Sequence, residues 1–380
     1  MERKIRVLHY IPGFDHGGIE SRLLDWYKHI DRNKVTFDIL KLTPDNDNEL
    51  IKEFIDLGGN VFTLPRFSMK SVISFMKALK SFFIVNHNYD VVHCHAPTTG
   101  YFILKEAKKY DIPLRIIHSR TTSFNPDEKN IIIKKMLKKI TPIYANRYFA
   151  CSKEAGEWIY NRTILSSDKF KVINNGIEAK KFIFNDQKRN QLRSEMEIED
   201  YFVIGHIGRF STAKNHPFII EIFYEILKKR SNSKLILIGD GPTEDDTRKK
   251  AKKLGIENNV LFLGRQNNVE DYLQCMDVFL FPSYFEGFGT VAIEAQAAGL
   301  QCLASDGVPQ AVDITGLIEH LPLSKGAVEW AETVLKYSNG YERRNMYEEI
   351  AKAGFDVITT AKWLEEFYIE MSASYNEVID

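Results

Sequence analysis

The sequence predicts an α/β protein built from two doubly wound parallel-sheet domains. Short apolar runs of strand length alternate with amphipathic runs of helix length from end to end, and the series restarts near residue 200. Charge divides in the same way. Residues 1–185 carry 30 Lys+Arg against 20 Asp+Glu, and residues 186–380 carry 21 against 31, in a chain of 380 residues with no net charge. A basic half and an acidic half imply domains with different partners.

The strands of the first series are IRVLHY (5–10), TFDILKL (36–42), NVFTL (60–64), DVVHCH (90–95), LRIIHS (114–119) and RYFACS (147–152). Such nearly continuous apolar runs suit strands covered on both faces. The helices between them are 19–30, 70–86 and 128–145, each with apolar residues at three- and four-residue spacing. Asn174-Asn175-Gly176 is a turn signal and a charged stretch follows Phe184, so the expected first domain is 1–185. The second, 186–350, takes strands 202–208, 234–240, 259–264, 277–283 and 301–305, with helices 216–230, 244–255, 269–276 and 290–299. Residues 352–379 read as a long helix with Trp363, Phe367 and Met371 on one face. The expected third piece is therefore 351–380, packing back on the first domain. Two such sheets imply a ligand cleft between the domains.

Hydrophobic content of 44% and charged content of 27% exclude a disordered or collagen-like chain. Cys94, Cys151, Cys275 and Cys302 stand far apart, which argues against a disulfide framework or zinc site and fits a reducing compartment. No run reaches membrane-spanning length, and the first residues carry no apolar signal region, so the expected location is cytoplasmic.

The chemistry concentrates in the second series. Glu286-Gly287-Phe288-Gly289-Thr290 follows a strand ending at Ser283 and opens a helix that carries Glu294. Free amides at a helix start, close approach over glycine and two carboxylates suit a ligand rich in hydroxyl and phosphate oxygens. The plain alternative is a Glu favoured by the helix dipole and an ordinary surface Glu. Upstream, Gly208 ends a strand, and Arg209 and Lys214 flank a helix start in which Pro217 fits the first turn. Two cations there suit a diphosphate, and the alternative is a solvated loop. Gly239-Asp240-Gly241-Pro242 closes the strand between these motifs.

Gly208-Arg209, Lys214, Gly239-Asp240-Gly241-Pro242, Glu286-Gly287-Phe288-Gly289, Glu294-Ala295, Ala298-Gly299 and Ser305-Asp306, in this order, resemble the retaining glycosyltransferases of family 4. The overall look is closest to bacterial capsule and exopolysaccharide enzymes. The resemblance is specific over 200–306 and looser in the first domain, where Gly17-Gly18-Ile19-Glu20 is similar to the family's glycine-rich first loop. It implies the GT-B architecture, two facing Rossmann-like domains. It implies that Arg209 and Lys214 hold the donor diphosphate, that Glu286 and the amides of Gly287, Phe288, Gly289 and Thr290 face the donor sugar and diphosphate, and that Glu294 holds the ribose. It further places Gly18 near the diphosphate and His118 against the donor sugar. On the residues alone, His118 reads equally as a strand-end histidine with a structural hydrogen bond. After Ser305-Asp306 the chain departs from the family pattern with Gly307-Val308-Pro309-Gln310, so no substrate contact is assigned there.

The resulting expectation is a metal-independent hexosyl- or N-acetylhexosaminyl-transferase without a cofactor. It moves a sugar from a nucleoside diphosphate sugar, UDP-linked in preference, to the hydroxyl of a saccharide acceptor, with a lipid-linked acceptor as the extended reading. Asp45-Asn46-Asp47, the only Asp-x-Asp, sits in a run typical of a turn and helix cap. His93 and His95 have spacing that can serve a metal, without a visible third ligand. Helix 128–145 places Lys134, Lys135, Lys138 and Lys139 on one face with Ile131, Ile132, Met136 and Ile140 biased to the other, and 68–84 mixes Lys70, Lys77 and Lys80 with Phe75, Met76, Phe82 and Phe83. Basic amphipathic helices of this kind can lie on anionic lipid, and the alternative is a solvated face. Balanced charge argues against nucleic acid. Two rivals remain open: a UDP-sugar 2-epimerase, and a non-catalytic nucleotide-sugar-binding subunit of a partner transferase.

Overall fold

The computed structural model describes residues 3–13, 18–42, 49–68, 70–122, 124, 131–286 and 288–376. The chain divides into two units, Met1–Gly176 with Val357–Asp380, and Ile177–Asp356.

The first unit holds seven strands: β1 (Ile5–Tyr10), β2 (Val35–Lys41), β3 (Asn60–Thr63), β4 (Val91–Cys94), β5 (Leu114–Ser119), β6 (Arg147–Ala150) and β7 (Phe170–Val172). All pair in parallel, in the order β3-β2-β1-β4-β5-β6-β7. The order reverses between β1 and β4, and a parallel sheet opens a crevice at such a point beyond its carboxyl ends. Val7, Leu8, Tyr10, Val91, Val92, Ile116 and Ile117 are fully buried, because helices cover both faces. Their side chains divide between two apolar clusters, one on each face of the sheet.

Helix Val357–Asn376 belongs to this unit. Val357, Ala361, Leu364 and Tyr368 recur at spacings of four and three and lie at 0% exposure in the cluster that contains Trp26 and Phe37. Trp363 and Phe367 pack edgewise and tilted on Phe149. Residues 177–185 sit with the second unit, since Ile177, Ala179 and Phe182 are buried in its core.

The second unit holds β8 (Phe202–Ile207), β9 (Ser233–Ile238), β10 (Val260–Phe262), β11 (Val278–Phe281), β12 (Gln301–Ala304) and β13 (Ile318–His320), parallel in the order β10-β9-β8-β11-β12-β13. Its reversal falls between β8 and β11. Strands β7 and β13, three residues each and at sheet edges, are additions to the sequence reading. The long helix expected from 352 begins only at Val357 and runs to Asn376; a separate helix, Tyr347–Lys352, ends where it was expected to start, and Gly354 at φ 78° lies between them.

Candidate active site

At the second sheet's switch point, the loops after β8, β9 and β11 are tied together by their backbones. Gly208 N donates to Ile238 O at 2.9 Å, Phe210 N to Asp240 O at 2.8 Å and Thr243 N to Phe210 O at 3.2 Å. Tyr284 N donates to Ala213 O at 2.8 Å, and the Asn215 side chain donates to Pro282 O at 3.1 Å. This packing requires Gly239 and Gly241, at φ +137° and +149°, because a Cβ there would overlap the carbonyls of Gly208 and Phe210.

Within this frame Lys214 Nζ lies 2.6 Å from Glu286 Oε1, with the side chains 19% and 10% exposed. Ser283 Oγ donates to the same oxygen at 2.6 Å. The ammonium also stands 4.9 Å over the Phe281 ring. Arg209 is exposed and has no ion pair among the described residues. Gly208 stays free of a side chain because a Cβ would reach His206 Nε2 at 2.9 Å and Lys214 Cδ at 3.3 Å. His206 Nδ1 donates to Leu280 O at 2.7 Å, and burial holds the ring well below the usual histidine pKa. Burial likewise lowers the neighbouring His216 to about 4. Both rings are therefore neutral beside the Lys214 cation.

Gly289, at φ 87°, turns the chain into helix Thr290–Ala297. Thr290 opens that helix and half-buried Glu294 lies one turn in. Phe288 stacks on Phe355 at 5.4 Å, so its ring is committed to packing. Gly287 and Asp45-Asn46-Asp47 lie outside the described residues. Sequence reasoning passed over two supports. Ser283 was visible only as a strand end, and Asn215 adopts a left-handed φ of 58° that favours few residue types.

Gly18 and His118 belong to the first unit, where Gly18 opens helix Gly18–His29. His118 is fully buried, with Nδ1 3.0 Å from His93 Nε2. It joins a layer of buried rings, His9, His93 and His95, at the ends of β1 and β4. Burial lowers all four well below the usual histidine range. His9 is the third ligand-type residue that the H-x-H spacing lacked: one nitrogen from each of His9, His93 and His95 lies within 4.8 Å of the others. The sequence alone held no signal for it, because the approach depends on β1 pairing with β4, which sets His9 opposite His93.

Two domain models match in tandem, Glycosyltransferase Family 4 over residues 16–181 and Glycosyl transferases group 1 over 187–353. A putative glycosyltransferase of Bacillus subtilis, EpsF, is 30% identical over 92% of this chain and 93% of its own length. The chain belongs to glycosyltransferase family 4. Among other relatives of this family 4 glycosyltransferase, the capsular polysaccharide biosynthesis glycosyltransferase CapH of Staphylococcus aureus is 27% identical over 96% of this chain and 99% of that protein. The UDP-Gal:α-D-GlcNAc-diphosphoundecaprenol α-1,3-galactosyltransferase of Escherichia coli is 26% identical over 63% of this chain and 62% of that protein. The crystal structure of Anabaena HepE in complex with UDP has a TM-score of 0.70 at 17% identity, covering 99% of both chains. The family 4 enzyme thus has the GT-B fold.

Proposed function

We propose that this glycosyltransferase moves a sugar, with retention and without a metal ion, from a UDP-sugar to the hydroxyl of a saccharide acceptor in capsule or exopolysaccharide synthesis. The observation that carries the reading is the Lys214–Glu286 pair, held by Ser283 where three glycine-shaped loops converge. A donor diphosphate draws Lys214 Nζ away from Glu286, and Arg209 joins it. Their charge stabilises the diphosphate as it leaves, the moment at which fixed charge contributes most. Glu286, released from the ammonium, accepts hydrogen bonds from the donor sugar. The amides from Gly287 to Thr290 meet the sugar hydroxyls and diphosphate, and Glu294 takes the ribose hydroxyls. The neutral His206 and His216 leave the local charge to Lys214 and Arg209. UDP is favoured by the HepE complex, which has the same fold.

The acceptor falls to the basic first unit. Two of its helices expose a mixed basic and apolar surface. Ile132 and Met136 are 78% and 65% exposed beside exposed Lys135 and Lys139, and Ile73, Ile84 and Val85 stand out beside Lys77 and Lys80. Of helix Ile131–Ile140 only Leu137 is buried, so its other apolar residues stay outside the core, as the lipid-facing reading requires. One sequence expectation is corrected here. Lys138 leaves the basic face, because its ammonium donates to Trp158 O at 2.6 Å. Exposed isoleucines among lysines suit the interface of an anionic membrane, where a lipid-linked acceptor would be found.

A thermal-shift panel of UDP- and GDP-sugars tests the donor. A ligand at 100 times its dissociation constant stabilises by about 2.7 kcal/mol. Stabilisation by UDP-sugars alone is expected, and stabilisation by GDP-sugars alone contradicts the UDP assignment.

A further inference from the structure

The loop after β12 departs from the family pattern at Gly307-Val308-Pro309-Gln310, yet it lies against the loop that carries Glu286. Strands β11 and β12 pair in parallel with Phe281 opposite Ala304, so the two loops leave the sheet side by side. Three hydrogen bonds join them. Ser305 N donates to Phe281 O at 3.1 Å, and Glu286 N donates to Gly307 O at 3.0 Å. Ser305 Oγ donates to Ser283 O. Ser305 is 0% exposed, and Val308, at 2%, sits in the core of the second unit. The loop after β12 is therefore anchored in the core and can brace its neighbour.

Gly307 permits this contact by its size. A Cβ there would overlap the carbonyl oxygens of Ser283 and Tyr284. Both are backbone atoms, so no side-chain rotation relieves the overlap, and a larger residue must push the loops apart. The need is for space alone, since Gly307 does not adopt a positive φ.

Glu286 is thus held at both ends. Its amide is tied to Gly307 O, and its carboxylate accepts from Ser283 Oγ at 2.6 Å, while Ser283 is tied in turn to Ser305. The third support is the Lys214 ammonium. That support is the one that moves on the reading above, when the donor diphosphate draws Lys214 away. What then holds Glu286 is Ser283 and the loop after β12. Reacting groups need their supports, because a misplacement of about 1 Å can cost about 10²-fold in rate.

We infer that Gly307 and Ser305 are positioning residues that keep Glu286 aimed at the donor sugar once Lys214 has turned to the diphosphate. The inference rests on the transferase reading above and adds the loop after β12 to its machinery.

Steady-state kinetics with a UDP-sugar and isothermal titration with UDP test it, in Gly307→Ala, in Ser305→Ala, and in each combined with Glu286→Ala. Gly307→Ala is expected to lower kcat by about tenfold to 10²-fold and Ser305→Ala by less. UDP affinity should be unchanged in both, because Glu286 meets the sugar and not the nucleotide. With Glu286→Ala already present, neither change should lower kcat further, since the group they position is gone. A loop that serves packing alone lowers kcat by the same factor in both backgrounds. Should Gly307→Ala fail the circular-dichroism melt, Ser305→Ala, which removes one hydroxyl and adds no atom, carries the same comparison. Equal factors in the two backgrounds, or wild-type kcat in every folded single variant, overturn the inference and leave the donor reading standing. Wild-type kcat in Glu286→Ala alone contradicts the donor reading itself.

Discussion

Lys214 Nζ and Glu286 Oε1 meet at 2.6 Å across 72 positions of sequence, and Ser283 shares the same carboxylate oxygen. The pair gives Lys214 a second, structural duty that Arg209 does not have. Lys214→Ala leaves a nearly buried carboxylate without its cation, at a cost of about 1–3 kcal/mol. It should lower both the melting temperature and turnover. Arg209→Ala removes only an exposed charge. Turnover should fall by roughly 10²-fold or more in both, because each charge acts on the leaving diphosphate, while the melt of the Arg209 variant stays at the wild-type value. Wild-type turnover in both variants contradicts the clamp.

The two carboxylates separate by position. Glu286→Gln keeps the shape and hydrogen-bonding reach but loses the charge that pairs with Lys214, so kcat should drop with little change in UDP affinity. Glu294→Gln, one turn into the helix, should weaken UDP binding and leave kcat of the saturated enzyme nearer to wild type. Titration with UDP and steady-state kinetics distinguish them. Unchanged UDP affinity in Glu294→Gln removes the ribose role.

The buried histidines set a pH dependence. Their folded pKa values lie below the unfolded value of about 6.5, because burial disfavours the charged ring. The unfolded chain therefore takes up protons first as pH falls. Stability is fully present above about 6.5 and is lost below it, by up to about 1.4 kcal/mol per pH unit for each ring. For His216 the loss continues to about 4. Calorimetric melts from pH 7.5 to 5 should decline from near 6.5, above the carboxylate range. A flat profile down to pH 5 contradicts neutral burial.

The exposed face of helix Ile131–Ile140 predicts vesicle binding by two combined terms. Each lysine near an anionic surface contributes about 1 kcal/mol, and inserted Ile132 and Met136 add apolar burial. Changing Lys135 and Lys139 to Gln should reduce co-sedimentation with phosphatidylglycerol vesicles at low salt. Ile132→Asp with Met136→Asp should reduce it at any salt, since exposed charge is screened over about 8 Å at physiological ionic strength while apolar insertion is not. Equal sedimentation by all forms makes the face an ordinary solvated surface.

Much of this was legible in the sequence because parallel strands buried on both faces are continuous apolar runs with sharp ends. IRVLHY and LRIIHS matched β1 and β5 at every residue. Edge strands β7 and β13 were not legible, since FKV and IEH are short and half-polar. The glycine loops could be placed because Gly208, Gly239 and Gly241 end strands. The Lys214–Glu286 contact could not, because it depends on how β8 and β11 pair across the sheet. Helix periodicity left Ile132 and Met136 open between a lipid-facing stripe and a solvated face, because an apolar stripe on a helix does not say what covers it. Lys138 shows the same limit from the other side, since a lysine can bend back to a carbonyl and an aromatic ring.

The central claim is transfer from a UDP-sugar with retention, driven by the chain's own cations. Its most direct test is proton NMR of the reaction of purified protein with a UDP-α-hexose panel and a prenyl-diphosphate-linked saccharide, in excess chelator. The account predicts UDP release coupled to an α-linked product, undiminished by the chelator and lost in Lys214→Ala. A β-linked product, activity restored only by added manganese, or conversion of the UDP-sugar alone into an epimer would contradict it.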